Sequence, residues 1–225
     1  MAFPASSYSY LALTYLFKNR HHLSTYDITI EFHPIFLHGV TVGSGNTPSW
    51  TVPAKGKHGV FDASRSKKYH GLEEMSVPDF FPPWTLLPMR ALCYIKAHFS
   101  PSTYESTFQL FFYALWVSHM NITLPAPLTD LLTSTSLFTP KEISSILSAA
   151  STQKWKDKLA ANTQKVLDQG AFGAPWMWVR NEKGEEEPFF GSDRFHFMWT
   201  FLGVEWRDVE IVPRGKEGRE FKAKL

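Results

Sequence analysis

Ser6 to Phe17 reads SSYSYLALTYLF. Two hydroxyl residues stand ahead of a run dense in Tyr, Leu and Phe. Serine is among the residue types that best close the amino terminus of a helix, because its oxygen accepts an otherwise unpaired first-turn amide. A buried helix beginning near Ser6 is therefore expected. After it comes ITIEFHPIF, Ile28 to Phe36, in which Ile28, Ile30 and Phe32 alternate with Thr29, Glu31 and His33. That is the two-residue period of a strand with one buried face. With one more strand in front of Ser6 these elements would form a βαβ unit, which points to the α/β class with a mixed sheet. Only Met1 to Ala5 precede the helix, and Pro4 cannot donate to a ladder, so the first strand is expected to be truncated. A sheet short of an internal strand exposes the edges of two neighbours, and poor solubility is the expected consequence.

Farther along, His38 to Gly59 (HGVTVGSGNTPSWTVPAKGKHG) is rich in glycine and proline and reads as an irregular binding loop. ASRSKKYHGLEEM, TLLPMRALCYIKAHF, YESTFQLFFYALWVSHM, TPKEISSILSAAS and STQKWKDKLAANTQKVLDQG read as helices, with VPDFFPPW a proline-broken connection. Thr139 is expected to cap one helix with Pro140 in its first position, and Gly170 to end the last. Trp176 to Arg180 and Pro188 to Phe190 flank the turn NEKGEE, the pattern of a hairpin. A short helix follows, with Ser192 as its expected cap and Gly203 just past its end. The expected organisation is a discontinuous α/β domain (residues 1–57 and 166–206), an inserted all-helical domain (58–165) and a charged tail (207–225). Trp84, Trp116 and Trp155 are expected in the core.

The composition removes several functional classes. Lys and Arg total 23 against 21 Asp and Glu, a net charge of +2, which provides no concentrated basic surface for nucleic acid. No apolar run reaches the ~20 residues that span a bilayer, so no membrane partner is expected either. A single cysteine, Cys93, allows neither an intrachain disulfide nor a CxxC redox pair. His21 and His22 have no acidic or histidine partner at ligand spacing, and no metal site is expected.

Three groups of residues carry a more specific signal: Ser6–Ala12 (SSYSYLA), Ser44–Gly56 (SGNTPSWTVPAKG), and Gly170–Pro175 (GAFGAP) together with Phe190–Arg194 (FGSDR). In order and spacing they resemble motifs of the kappa-class glutathione transferases, with Ser7 standing at that family's proline. This class lies within the thioredoxin-like group that also holds DsbA oxidoreductases and 2-hydroxychromene-2-carboxylate isomerases. The resemblance runs from Ser6 to about Trp206. It implies a DsbA-like thioredoxin fold with a mixed sheet and a large all-helical insertion, and glutathione as co-substrate.

The chemistry that the resemblance implies begins with the thiol. A free thiol of pKa about 8.5 is only ~3% ionised at pH 7, and lowering that pKa by two units takes about 2.7 kcal/mol. A hydroxyl hydrogen bond to the anion contributes about 1.5–3 kcal/mol. The positive end of a helix adds about 0.3–1 kcal/mol. By resemblance Ser6 offers both, in the place where redox relatives carry a nucleophilic cysteine, and it cannot form a mixed disulfide. Read from the residues alone, Ser6 serves equally well as a plain helix cap. Pro175 resembles the cis-proline of thioredoxin-like folds, which would leave the Ala174 backbone to pair with the cysteinyl unit. Ser192 and Asp193 would hold the γ-glutamyl end. Asn46 and Lys55 match positions that contact glutathione, Lys55 pairing with the glycyl carboxylate. Lys57, Lys67 and Lys68 read as solvated decoration, a reading open for Lys55 as well, and Arg194 as half of a structural ion pair.

The function so implied is a kappa-type glutathione transferase acting on a small electrophile or a peroxide. The rivals are a glutathione-dependent isomerase of the 2-hydroxychromene-2-carboxylate type and a non-catalytic thioredoxin-fold binding protein. Relatives of this class are commonly homodimers. Ala223, Lys224 and Leu225 form AKL, a variant of the SKL address read by the peroxisomal import receptor, so a peroxisomal location is expected, with mitochondrial and cytoplasmic ones as alternatives.

Overall fold

The structure is a computed structural model that describes residues 6–207. Ser6 is the cap of α1 (Ser7–Ser24): its backbone is extended, at φ −116° and ψ 118°, and its side chain accepts from the Ser9 amide. Tyr10, Leu11, Ala12 and Leu13 are all buried, so protein encloses the first half of α1 on almost every side. Tyr10 stacks on Phe112 with ring centroids 5.4 Å apart.

The glycine-rich stretch is more regular than its composition suggests. It holds α2 (Leu37–Gly43), a single 3-10 turn at Ser49–Thr51, and the start of α3 (Pro53–His70). Two of its glycines serve packing: a Cβ on Gly43 would lie 2.6 Å from Leu167 Cδ1, and one on Gly39 would lie 3.1 Å from Thr163 Cγ2. Their absence of a side chain lets α2 press against its neighbour, and neither breaks the helix. Pro53 stands in the first turn of α3, where a missing amide costs nothing, and Gly71, left-handed at φ +69°, ends it.

The helical block follows: α4 (Leu86–His98), α5 (Pro101–Trp116), α7 (Pro140–Ser151) and α8 (Gln153–Asp168) stand where they were expected, and α6 (Pro125–Thr133) is a further helix that the sequence reading did not name. Thr139 caps α7 in a reciprocal box with Glu142, and Pro140 opens it. Phe108, Phe111 and Phe112 of α5 are fully buried at the centre of the main core, which draws in side chains from α1 and α9 (Phe195–Leu202). Trp116 and Trp155 are buried there, but Trp84 is 56% exposed, lying against Phe36 and His38 at the surface. Cys93 is buried in α4, and burial pushes its thiol up to about 12. A smaller cluster of Ile35, Val40, Val166, Ala171 and Trp176, with Ala174 packed against it, joins α2 and α8 to the start of β1 (Trp176–Arg180).

β1 pairs antiparallel with β2 (Glu186–Phe190), Trp176 opposite Phe190 and Arg180 opposite Glu186. Among the described residues the sheet is this hairpin alone. Ile28–Phe36, expected as a strand, is extended without a ladder, because no strand among the described residues lies beside it. The domain boundaries expected at 57/58 and 165/166 both fall inside helices, α3 and α8. The truncated first strand, most of the charged tail and the AKL terminus lie outside the described residues. Among the described residues no helix is long and apolar enough to cross a membrane.

Candidate active site

The site is built where the amino terminus of α1 meets the turn before β1. Ser6 Oγ accepts from the Ser9 amide at 3.2 Å and donates to the Ala174 carbonyl at 3.3 Å, across 168 residues of sequence. The Ala174–Pro175 bond is cis. The first amides of α1 have no intrahelical partner and aim along the helix axis toward this corner. A second hydroxyl, that of Ser9, is fully buried, and its Oγ has no hydrogen-bond partner among the described residues.

Asn46 reaches the same corner from the loop after α2. Its Nδ2 donates to the Phe172 carbonyl at 2.7 Å, and its Oδ1 accepts from the Thr47 amide at 2.8 Å. Asn46 thereby ties the SGN turn to the GAFGAP segment two residues before Ala174. Gly173 is needed for the close packing of that segment, since a Cβ there would lie 3.1 Å from the Phe190 ring.

α3 forms one wall. Tyr8 Oη donates to Asp62 Oδ2 at 2.5 Å, fixing the middle of α3 to the first turn of α1. Burial raises the Tyr8 phenol above its ordinary range, reinforced by the Asp62 hydrogen bond and by the charges of Asp62 and Asp193. At the other end of α3, the His70 ring bonds the Ser192 backbone; burial lowers its pKa, and that bond opposes the shift. Lys55 is exposed in the first turn of α3, seven residues before Asp62, which places it about 10 Å along the helix from the Tyr8 contact.

Ser192 and Asp193 stand just outside α9. The helix begins at Phe195 with Arg194 at the cap position and no side-chain cap, so Ser192 does not close it as expected. Ser192 is buried and Asp193 exposed. The Asp193 carboxylate folds back over Gly191, whose φ is +99° and where a Cβ would lie 2.6 Å from Asp193 Oδ1. A side chain at 191 would displace it. Arg194 makes only a long contact with its neighbour, Nε to Asp193 Oδ2 at 3.8 Å.

Ser6, Ala174, Pro175 and Asn46 are thus linked directly or through neighbouring backbone, and Asp193 joins them through its field on Tyr8. Lys55 stands apart on the wall. A match to the family model of the DSBA-like thioredoxin domain covers residues 5–203. The chain belongs to the DSBA-like thioredoxin family. Within that family it is 29% identical over 204 residues to glutathione S-transferase kappa 1 of Caenorhabditis elegans, spanning 88% of this chain and 86% of the relative. It is 24% identical over 210 residues to glutathione S-transferase kappa 1 of Homo sapiens, spanning 89% and 88%. Among solved structures, a 2-hydroxychromene-2-carboxylate isomerase shares the DSBA-like fold, with a TM-score of 0.70 at 20% identity and coverage of 89% and 91%.

Sequence reading missed Tyr8, Asp62 and His70. Tyr8 lies inside the SSYSYLA motif and was in plain view. Asp62 and His70 carried no signal, because only the register of α3 against α1 and the α9 approach brings them to the site.

Proposed function

We propose that this DSBA-like chain is a kappa-type glutathione transferase. Ser6 stabilises the glutathione thiolate, the Ala174 backbone pairs with the cysteinyl unit, and Asn46, Lys55, Pro175, Ser192 and Asp193 complete the peptide site. The sulfur attacks a small electrophile, displacing its leaving group, or a peroxide, whose O–O bond breaks to release an alcohol and leave a glutathione sulfenic acid that a second glutathione converts to the disulfide and water; the second substrate lies under the helical block. The observation that carries this reading is the Ser6 hydroxyl at the start of α1, 3.3 Å from the Ala174 carbonyl. A hydroxyl, the first turn of α1 and a backbone carbonyl able to accept from a peptide N–H come together there, which supports the reading, and serine in place of cysteine cannot divert the chemistry into disulfide exchange.

The surroundings suit the ligand's charges. Asp62 and Asp193 both face Tyr8, which favours an ammonium over a carboxylate at that end. Lys55 lies about 10 Å along α3, close to the length of an extended tripeptide, and offers a cation for a carboxylate at the other. The anionic neighbours also mean that the thiolate's stabilisation has to come from the Ser6 hydroxyl and the α1 amides.

The test is calorimetry and turnover on the full chain. Glutathione is expected to bind with measurable heat, and Ser6→Ala to lower the conjugation rate at pH 7 by about twenty-fivefold if two pKa units are lost, the bound thiolate falling from ~76% to ~3%. No heat at millimolar glutathione overturns the reading. A stable conjugate identifies transfer, whereas rearranged substrate with glutathione unconsumed identifies an isomerase. A homodimer and a peroxisomal address at Ala223–Leu225 belong to the same reading. Light scattering tests the first, and binding of the terminal peptide to the import receptor tests the second.

A further inference from the structure

The Ser6 hydroxyl carries one proton, and that proton is already committed. Ser6 Oγ donates it to the Ala174 carbonyl at 3.3 Å while accepting from the Ser9 amide at 3.2 Å. A serine hydroxyl has a single donor, so it cannot serve the carbonyl and a sulfur anion at once. Ala174 is half-buried, and turning the hydroxyl toward sulfur leaves its carbonyl without the partner it has among the described residues. An unpaired carbonyl in such a place opposes the turn. The Ser9 amide stays with Oγ in either orientation, because the cap geometry of α1 holds it there.

We propose that the site ionises most readily those thiols that bring their own amide. When a ligand N–H bonds the Ala174 carbonyl, the carbonyl no longer needs Ser6, and the hydroxyl is free to rotate onto the sulfur. The thiol proton leaves to water; Ser6 keeps its own proton and changes only its acceptor. A peptidyl thiol therefore releases the stabiliser by docking, while a simple thiol of the same acidity meets a hydroxyl turned away. The coupling makes Ala174 more than a docking point: its carbonyl sets when Ser6 acts. The inference rests on the glutathione reading above and adds a selection rule to it.

The experiment compares glutathione with an analogue in which the γ-glutamyl–cysteinyl amide is replaced by an ester, which removes the N–H and leaves the thiol in place. Both are bound to the full chain at saturation, verified by calorimetry, and the bound thiol is titrated by its ultraviolet absorbance. The bound pKa of glutathione is expected to lie about one unit below that of the ester, a tenfold difference in the ratio of thiolate to thiol at any one pH. In Ser6→Ala the gap is expected to close, since no hydroxyl remains to be released. Equal bound pKa values for the two ligands in the unaltered protein overturn the coupling while leaving the glutathione site intact. Heat from neither ligand removes the glutathione reading itself, and the coupling with it.

Discussion

Two stretches of this chain carry the alternation of a strand, and they are held by different means. Trp176–Arg180 pairs residue by residue with Glu186–Phe190. Ile28–Phe36 has the same pattern of faces, Phe32 buried and Thr29 and Glu31 exposed, yet no strand among the described residues pairs with it. Side chains from the helical block meet its polar groups instead. Tyr104 Oη donates to the Phe32 carbonyl at 2.9 Å, Lys96 Nζ donates to the same oxygen, Asn162 Nδ2 donates to the Pro34 carbonyl at 2.9 Å, and the Phe36 amide donates to Thr163 Oγ1 at 3.0 Å. Alternation specifies which face is buried. A ladder needs, in addition, an edge at the right distance, and buried backbone groups that lack one take what donors the packing provides.

The largest expected effect breaks the substitute for the ladder. Tyr104→Phe and Lys96→Met each leave the Phe32 carbonyl with one donor, so each is expected to cost about 1 kcal/mol. The double variant orphans a buried carbonyl and is expected to cost about 3–4 kcal/mol, more than the two singles together. A urea-unfolding cycle that returns simple additivity would show that the segment does not depend on these donors. In the hairpin the corresponding weak point is the turn. Gly184 sits at φ +81°, and Gly184→Ala is expected to cost about 1–2 kcal/mol by midpoint shift. No loss would mean that the ladder, not the turn, fixes the register.

The smallest effect is a pH dependence confined to the unladdered segment. Burial, with the charge of Lys96, lowers His33 to about 4. A histidine depressed in the folded state binds fewer protons there than in the unfolded chain, so its contribution to stability is whole above about 6.5 and is lost as pH falls toward 4. The His33 side chain is 34% exposed and its neighbour Glu31 is 65% exposed, so solvent screening holds the total to about 1 kcal/mol. Glu31 adds in the same direction at lower pH, because its hydrogen bond from Lys96 lowers its pKa and that support disappears as it protonates. His33→Gln is expected to flatten the stability profile between pH 4 and 6.5; an unchanged slope would assign the dependence elsewhere.

Much of the fold could be read in advance because its signals are local. Ser6 as cap, Thr139 with Pro140, Gly170 and Gly203 as terminators, and the NEKGEE turn each depend on one or two residues' own conformational preferences. The errors arose where a distant surface decides. Gly39 and Gly43 look like helix breakers until α8 is seen against them, and Trp84 looks like core until the helices leave it at the rim. The candidate site divides in the same way. Ser6, Asn46, Ala174 and Pro175 stand out in the SSYSYLA, SGN and GAFGAP stretches, and hydrogen bonds join those stretches in the structure. The Tyr8–Asp62 bond and the Ser192–His70 contact join elements that are far apart in sequence.

Burying the lone sulfur has a practical consequence. Burial pushes the Cys93 thiol up to about 12, so little thiolate absorbance from the polypeptide is expected across the range in which an ordinary thiol ionises. A thiolate signal in a loaded sample is therefore expected to come from the guest molecule, and a thiol-selective alkylating reagent to meet that guest before its host.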